Sequence, residues 1–136
     1  MSWYKKGSLT SELLSRIANS GIFVKRLFSS YIGTGSFGVF EHVDGKVYEV
    51  RVELAKIARK RVPPSDGLRE SRTVMSQIRS SGIFETSRDD VSLSPMAAFV
   101  GTYKGEQYQI TVMPYSQSEY ADYFIDTKAR QQREGK

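Results

Sequence analysis

The chain has 136 residues, of which 39% are hydrophobic and 26% charged, and a formal net charge of +5. That is the composition expected of a soluble globular polypeptide with length for one domain and one core. The absence of cysteine excludes disulfides, thiolate metal sites and cysteine nucleophiles, while the basic balance permits an acidic or nucleic-acid partner.

No apolar run approaches the roughly 18 residues of a membrane helix. Trp3 and Tyr4 are end aromatics expected to pack on something such as a neighbouring subunit. The first 30 residues carry Lys5, Lys6, Arg16, Lys25 and Arg26 against the single acid Glu12, with many serines. An organelle presequence has that composition. The preferred alternative is an amphipathic helix with Leu13, Leu14 and Ile17 facing the core, capped by Thr10 or Ser11 and ended by Gly21. Residues 22–28 read as a strand or a short second helix. Gly33-Thr34-Gly35-Ser36-Phe37-Gly38 then precedes two β-prone runs joined by Asp44-Gly45, a hairpin signal.

Residues 49–71 organise the rest. Val50, Leu54, Ile57, Ala58 and Val62 recur at helical spacing. Glu49 and Glu53 lie early and Lys60 and Arg61 late, as the helix dipole favours. A basic helix is expected here, taking over from the hairpin strand near Tyr48 to Arg51. Pro63 and Pro64 stop it, and Ser65, Asp66 and Gly67 form a turn and cap. Leu68, Val74, Met75 and Ile78 line a second helix that ends around Ser80-Ser81-Gly82.

Residues 85–94 read as a polar loop and 96–103 as a strand, followed by the turn Lys104-Gly105. Tyr108, Ile110 and Val112 alternate with Gln107, Gln109 and Thr111, the period of a half-buried strand that Pro114 stops. Residues 115–124 are rich in tyrosine, and a charged tail follows from about Asp126. Residues 13–23 echo residues 74–84, and each copy precedes a hairpin turn, at Gly45 or Gly105. Duplication is one explanation; reuse of a helix cap followed by an apolar pair is the simpler one.

The glycine loop followed by a hairpin resembles the nucleotide-covering loop of protein kinases. Arg51 would stand at the strand lysine and Glu70 at the helix glutamate. No His-Arg-Asp loop or Asp-Phe-Gly follows, so the parts for phosphoryl transfer are missing. His42, the only histidine, is expected to face solvent beside Glu41 and Asp44. Glu85, Asp89 and Asp90 lack the ligand alternation of a calcium loop. Lys56, Arg59, Lys60 and Arg61 suit phosphate contacts. Tyr103, Tyr108, Tyr115, Tyr120 and Tyr123 suit base stacking or a protein interface.

Ala55-Lys56-Ile57-Ala58-Arg59-Lys60-Arg61-Val62-Pro63, Asp66-Gly67-Leu68-Arg69-Glu70-Ser71, a hairpin, and Tyr120-Ala121-Asp122-Tyr123-Phe124 occur in that order. The arrangement resembles the tail-completion (head–tail joining, minor tail) proteins of long-tailed bacteriophages, over about residues 50–127. It departs from them by one residue fewer between Gly67 and Leu68, and by Ile125-Asp126-Thr127 where Glu-x-Gly-Thr is usual. The resemblance implies a non-enzymatic ring subunit in a virion, assembled in the host cytoplasm. Its partners would be copies of itself and connector or tail proteins, with DNA passing through the lumen, and it would need no cofactor or metal. Arg61, Asp66, Arg69, Tyr120, Tyr123 and Phe124 would be interface or corner residues, with Pro63 and Gly67 setting the turn.

The expectation is therefore one α+β domain over 1–136, with two β-hairpins packed against about three helices. It divides into a helical segment at 1–35, a core at 36–125 and a tail at 126–136. Two rival readings are a free-standing, cytoplasmic kinase-like small lobe that binds or inhibits a partner, and a basic nucleic-acid-binding protein.

Overall fold

The computed structural model describes residues 2–121, with side chains from Leu9 onward. Leu13, Leu14 and Ile17 recur on one face and are buried, and helix α1 (Ser2–Ala18) forms around them. Three strands follow: β1 (Phe23–Ile32), β2 (Gly35–His42) and β3 (Val47–Leu54). Helix α2 (Leu68–Arg79) buries Val74 and Ile78. It leads into β4 (Thr86–Arg88), β5 (Ala97–Tyr103) and β6 (Glu106–Pro114), and short 3-10 turns occupy Ala55–Ile57, Val91–Leu93 and Tyr115–Gln117.

The strands form one antiparallel sheet in the order β1-β2-β3-β6-β5-β4. Both helices pack on one face of it. Their buried residues join Phe40, Val50, Val52, Phe99, Ile110 and Val112 in the main core. Alternation decides which strand residues enter that core, because successive side chains point to opposite faces.

That order is palindromic. Each half of the sheet is one helix followed by three strands, and β3 pairs with β6 at the centre. The echo between residues 13–23 and 74–84 falls at the same place in both halves, at the end of the helix and the approach to the next strand. Both helices end in the same way: Ser20 Oγ donates to the Ile17 carbonyl and Ser81 Oγ to the Ile78 carbonyl, each at 2.6 Å. Gly21 and Gly82 then turn the chain at φ +90° and +85°, a region that favours glycine. In the central pair, Tyr48 opposes Pro114 and Leu54 opposes Tyr108, with Arg51 opposite Thr111 at the midpoint. Tyr48, Val50 and Val52 therefore correspond to Tyr108, Ile110 and Val112.

The α+β class holds, with two α-helices and six strands among the described residues. The basic helix expected over 50–62 is absent. Residues 47–54 are β3, one 3-10 turn follows, and residues 58–67 run without helix or strand. Val50 and Leu54 fit both a helical and an alternating pattern. Alternation wins because Val50, Val52 and Leu54 all reach the core, whereas the supposed helix-face residues Ile57 and Val62 are exposed. The segment 1–35 is not all helix, since β1 lies within it. The polar loop at 85–94 contains the edge strand β4. The glycine run is mostly strand: a Cβ on Gly35 would fall 2.0 Å from the Val52 carbonyl oxygen, so glycine there permits β2 and β3 to approach. The charged tail lies outside the described residues.

Ile17 and Ile78 are equivalent in the repeat and fully buried. Ile17→Ala and Ile78→Ala should each destabilise the fold by about 2–5 kcal/mol, read from chemical denaturation curves. If only one of them is costly, the two halves do not share one cooperative core.

Candidate functional site

The residues of β3 that turn away from the helices are Glu49, Arg51 and Glu53. All three are buried, and Arg51 is only 1% exposed. Their counterparts in the second half are Gln109, Thr111 and Met113, which carry no charge. Two segments cover the charged strip: residues 58–61 after β3 and 115–120 after β6. Small apolar clusters flank it, with Phe37, Val39 and Tyr115 on one side and Leu93, Met96 and Val100 on the other.

Glu49 is the hub. Its Oε1 accepts from Arg51 Nε at 3.1 Å and lies 3.0 Å from Arg51 Nη2. Arg61 Nη2 reaches both carboxylate oxygens at 3.2 Å, and Ser118 Oγ donates to Oε2. Arg51 Nη2 also donates to Glu119 Oε1 at 2.7 Å, and Arg59 Nη2 stands 3.6 Å from that oxygen. The Arg51 guanidinium lies over the Tyr120 ring, which stacks on Phe37 at 4.4 Å. Glu53 Oε2 accepts from Thr34 Oγ1 at 2.5 Å and from the Arg59 amide at 3.4 Å. Glu53 Oε1 and Arg61 Nη1 are buried without a hydrogen-bond partner.

This arrangement follows from the cost of burying charge. A desolvated ion is tolerated where opposite charges and hydrogen bonds surround it. Burial pulls the Arg51 pKa down, but Glu49, Glu119 and Glu53 outweigh it, and the guanidinium holds its proton more firmly than usual. At Arg61 burial prevails, aided by repulsion from Arg51, and its pKa falls. The hydrogen bond from Arg51 holds the Glu119 carboxyl below the ordinary carboxylate value. Over the strip lies a cavity of about 370 Å³, lined by Arg51, Arg59, Lys60, Arg61, Ser118 and Glu119 among others. A second cavity, of about 700 Å³, lies between the end of the central strands and the start of α2, beside Tyr48, Gly67, Glu70 and Pro114. Burial and the nearby Asp44 carboxylate push the Tyr48 hydroxyl up in pKa.

Of the residues singled out in the sequence, Arg61 and Tyr120 meet at the strip. Asp66 and Gly67 sit beside it, where Gln117 Nε2 donates to the Asp66 carbonyl at 2.6 Å and its Oε1 accepts from the Ser65 amide at 2.6 Å. Gly67 is the N-cap of α2. Pro63 is exposed on the approach to α2 and Arg69 is exposed in its first turn. Tyr123 and Phe124 lie outside the described residues. Arg51 pairs with Glu49 and Glu119, not with Glu70, whose ion-pair partner is Lys46 at 3.7 Å; the kinase-like pairing does not form. His42 is buried, with its Nε2 2.8 Å from Gln77 Oε1 and its Nδ1 accepting from the Asp44 amide, and so does not face solvent. Tyr103, Tyr108 and Tyr115 are also buried and offer no stacking platform. Asp89 pairs with Arg79 at 2.6 Å, and Asp90 caps the turn at 91–93. No group of three or more potential metal ligands occurs among the described residues.

Sequence reasoning missed Glu49, Glu53, Ser118 and Glu119 as site residues, and met Arg51 only in the kinase-like reading. The sequence carries only the alternation Glu49-Val50-Arg51-Val52-Glu53, charged and β-branched residues in turn, and not the burial of its charged side. Comparison with known protein families, characterised proteins and solved structures finds no match.

Replacing Arg51 with methionine leaves Glu49 buried with fewer partners and should cost about 3–5 kcal/mol, measured by urea unfolding. Glu119 is 53% exposed, so Glu119→Gln should cost at most about 1 kcal/mol. Because its folded pKa is depressed, its contribution is present above the unfolded value of about 4.3 and is lost as pH falls through the lower folded value. The difference in melting temperature between wild type and Glu119→Gln should therefore close on acidification below about pH 4.

Proposed function

We propose that the chain is a non-enzymatic assembly protein that joins neighbouring protein subunits through the ridge at residues 56–63. The conformation of that ridge carries the reading. Residues 58–67 cross the second face without helix or strand, yet they are pinned: Arg61 points inward to Glu49, and Gln117 holds Ser65 and Asp66. Around the inner pin, Ile57 and Val62 stand 48% and 82% exposed, beside the exposed cations Lys56, Arg59 and Lys60. Ordered segments of this kind, lacking regular structure on a rigid scaffold, are usually where binding resides. Apolar side chains held outward gain by being covered, and the surrounding cations select an acidic rim on the partner.

The ring-subunit reading drawn from the motifs at 55–71 keeps its contact region here but loses its helix. The presenting element is an extended ridge, which offers Val62 and the three cations together. In that reading the neighbours are further copies of the chain or connector and tail proteins of a virion.

Light scattering and negative-stain imaging of the purified chain across a range of concentrations test the proposal. Wild type should form rings or larger oligomers. Val62→Asp should reduce them to single chains without changing the melting temperature, since Val62 is not part of the core. A wild type that stays monomeric throughout overturns the reading, and so does nucleotide hydrolysis by the purified chain.

A further inference from the structure

We infer that the basic cavity over β3 is a binding site for a phosphate dianion, and that Glu119 is the resident carboxylate which the dianion displaces. Four cations, Arg51, Arg59, Lys60 and Arg61, line this cavity. Two of them belong to the fold: the Arg51 and Arg61 side chains are 1% and 6% exposed. Arg61 Nη1 is a buried donor with no hydrogen-bond partner. A buried guanidinium with an unused N–H is costly to leave unpaired, and its positive charge acts on an oxyanion in the cavity even though that atom is closed to solvent.

Glu119 shows where that anion sits. Its carboxylate rests on Arg51 Nη2 at 2.7 Å and near Arg59 Nη2 at 3.6 Å, yet the side chain is 53% exposed. It belongs to the short segment after β6 and has water as an alternative partner. The other carboxylates of the strip, Glu49 and Glu53, are fully buried and held by Arg51, Arg61, Ser118, Thr34 and the Arg59 amide. With Glu119 swung outward, four cations face two carboxylates, leaving two positive charges uncompensated. A carboxylate ligand neutralises one of these and a phosphate dianion both. Arginine forks also match phosphate oxygens with paired N–H donors. A phosphodiester carries one charge per phosphate, so a nucleic-acid backbone fits this surplus less well.

The test titrates inorganic phosphate into the full-length chain at constant ionic strength, with phosphorus NMR and calorimetry as readouts and chloride and acetate as controls. Phosphate should bind saturably at one site per chain, and neither control should compete at equal concentration. Glu119→Gln removes the competing carboxylate and should tighten phosphate binding about tenfold. The Arg59→Gln/Lys60→Gln double variant should weaken it about tenfold. Both residues are exposed, so the double variant should keep the wild-type melting temperature in the absence of phosphate.

Arg59, Lys60 and Val62 belong both to the ridge and to the lining of this cavity, so the two readings are separated at Ile57, which is exposed on the ridge but does not line the cavity: Ile57→Ser should weaken the oligomers and leave phosphate affinity unchanged. The inference is overturned if neither wild type nor Glu119→Gln binds phosphate saturably, or if acetate binds equally well. It is also overturned if the double variant binds as wild type does, or if an oligonucleotide occupies the pocket and phosphate fails to compete with it.

Discussion

The burial of Glu49 at the centre of the sheet is the constraint from which the second face takes its shape. The strand carrying it is flanked by β2 and β6 and capped by helices on its other side, so no exposed edge or face is open to it. An ion taken out of water costs several kcal/mol, even after relaxation, unless it is surrounded by partners. Three side chains donate to this one carboxylate, two of them cationic, and charge-assisted hydrogen bonds contribute about 1.5–3 kcal/mol each. The sum is enough to offset the burial only when all the donors arrive together. Arg61 and Ser118 come from segments far apart in the chain, so the hub ties the crossing after β3 to the crossing after β6.

The internal repeat explains why those two segments are the ones that meet. Each follows the third strand of its half, and the central antiparallel pair places the ends of those strands at opposite ends of the same face. The scaffold side of the sheet is alike in the two halves: Tyr48 with Tyr108, Val50 with Ile110, Val52 with Val112. The other side differs, and within the central pair charge is confined to β3. Packing alone asks for no ionic strip on one strand and a neutral strip on its counterpart. The difference is a feature of the site laid over the scaffold.

Much of the scaffold was legible. Leu13, Leu14 and Ile17 marked α1, the positions from Leu68 to Ile78 marked α2, and the turns at Gly45 and Gly105 marked the β2–β3 and β5–β6 hairpins; the third tight connection, from β1 to β2, was not expected. The failure at residues 50–62 has a definite cause. Val50 and Leu54 satisfy the helical and the extended period alike, and over so short a window the run of charges at 56–61 favoured the helix. What separates the two readings is the burial of Glu49, Arg51 and Glu53, and that depends on Ser118 and Glu119 folding back from the far end of the chain. No local pattern contains such information. For the same reason Arg61 was picked out as a contact residue but not as the partner of Glu49. The exposure expected of His42 failed similarly, because Gln77 reaches it from the second repeat.

The composition of the strip bears on what it is suited to do. Arginine stays charged across the physiological range, and Glu119 is held ionised by its neighbour. Such groups keep their charge near neutral pH, whereas proton transfer calls for a group that titrates there. The only histidine, His42, is packed on the opposite face against Phe23 and Tyr48. Fixed charge, a rigid hub and an unused N–H favour recognition by position and sign. A ligand meeting these arginines encounters donors already desolvated and already oriented by Glu49, so little of its binding energy goes into ordering the site.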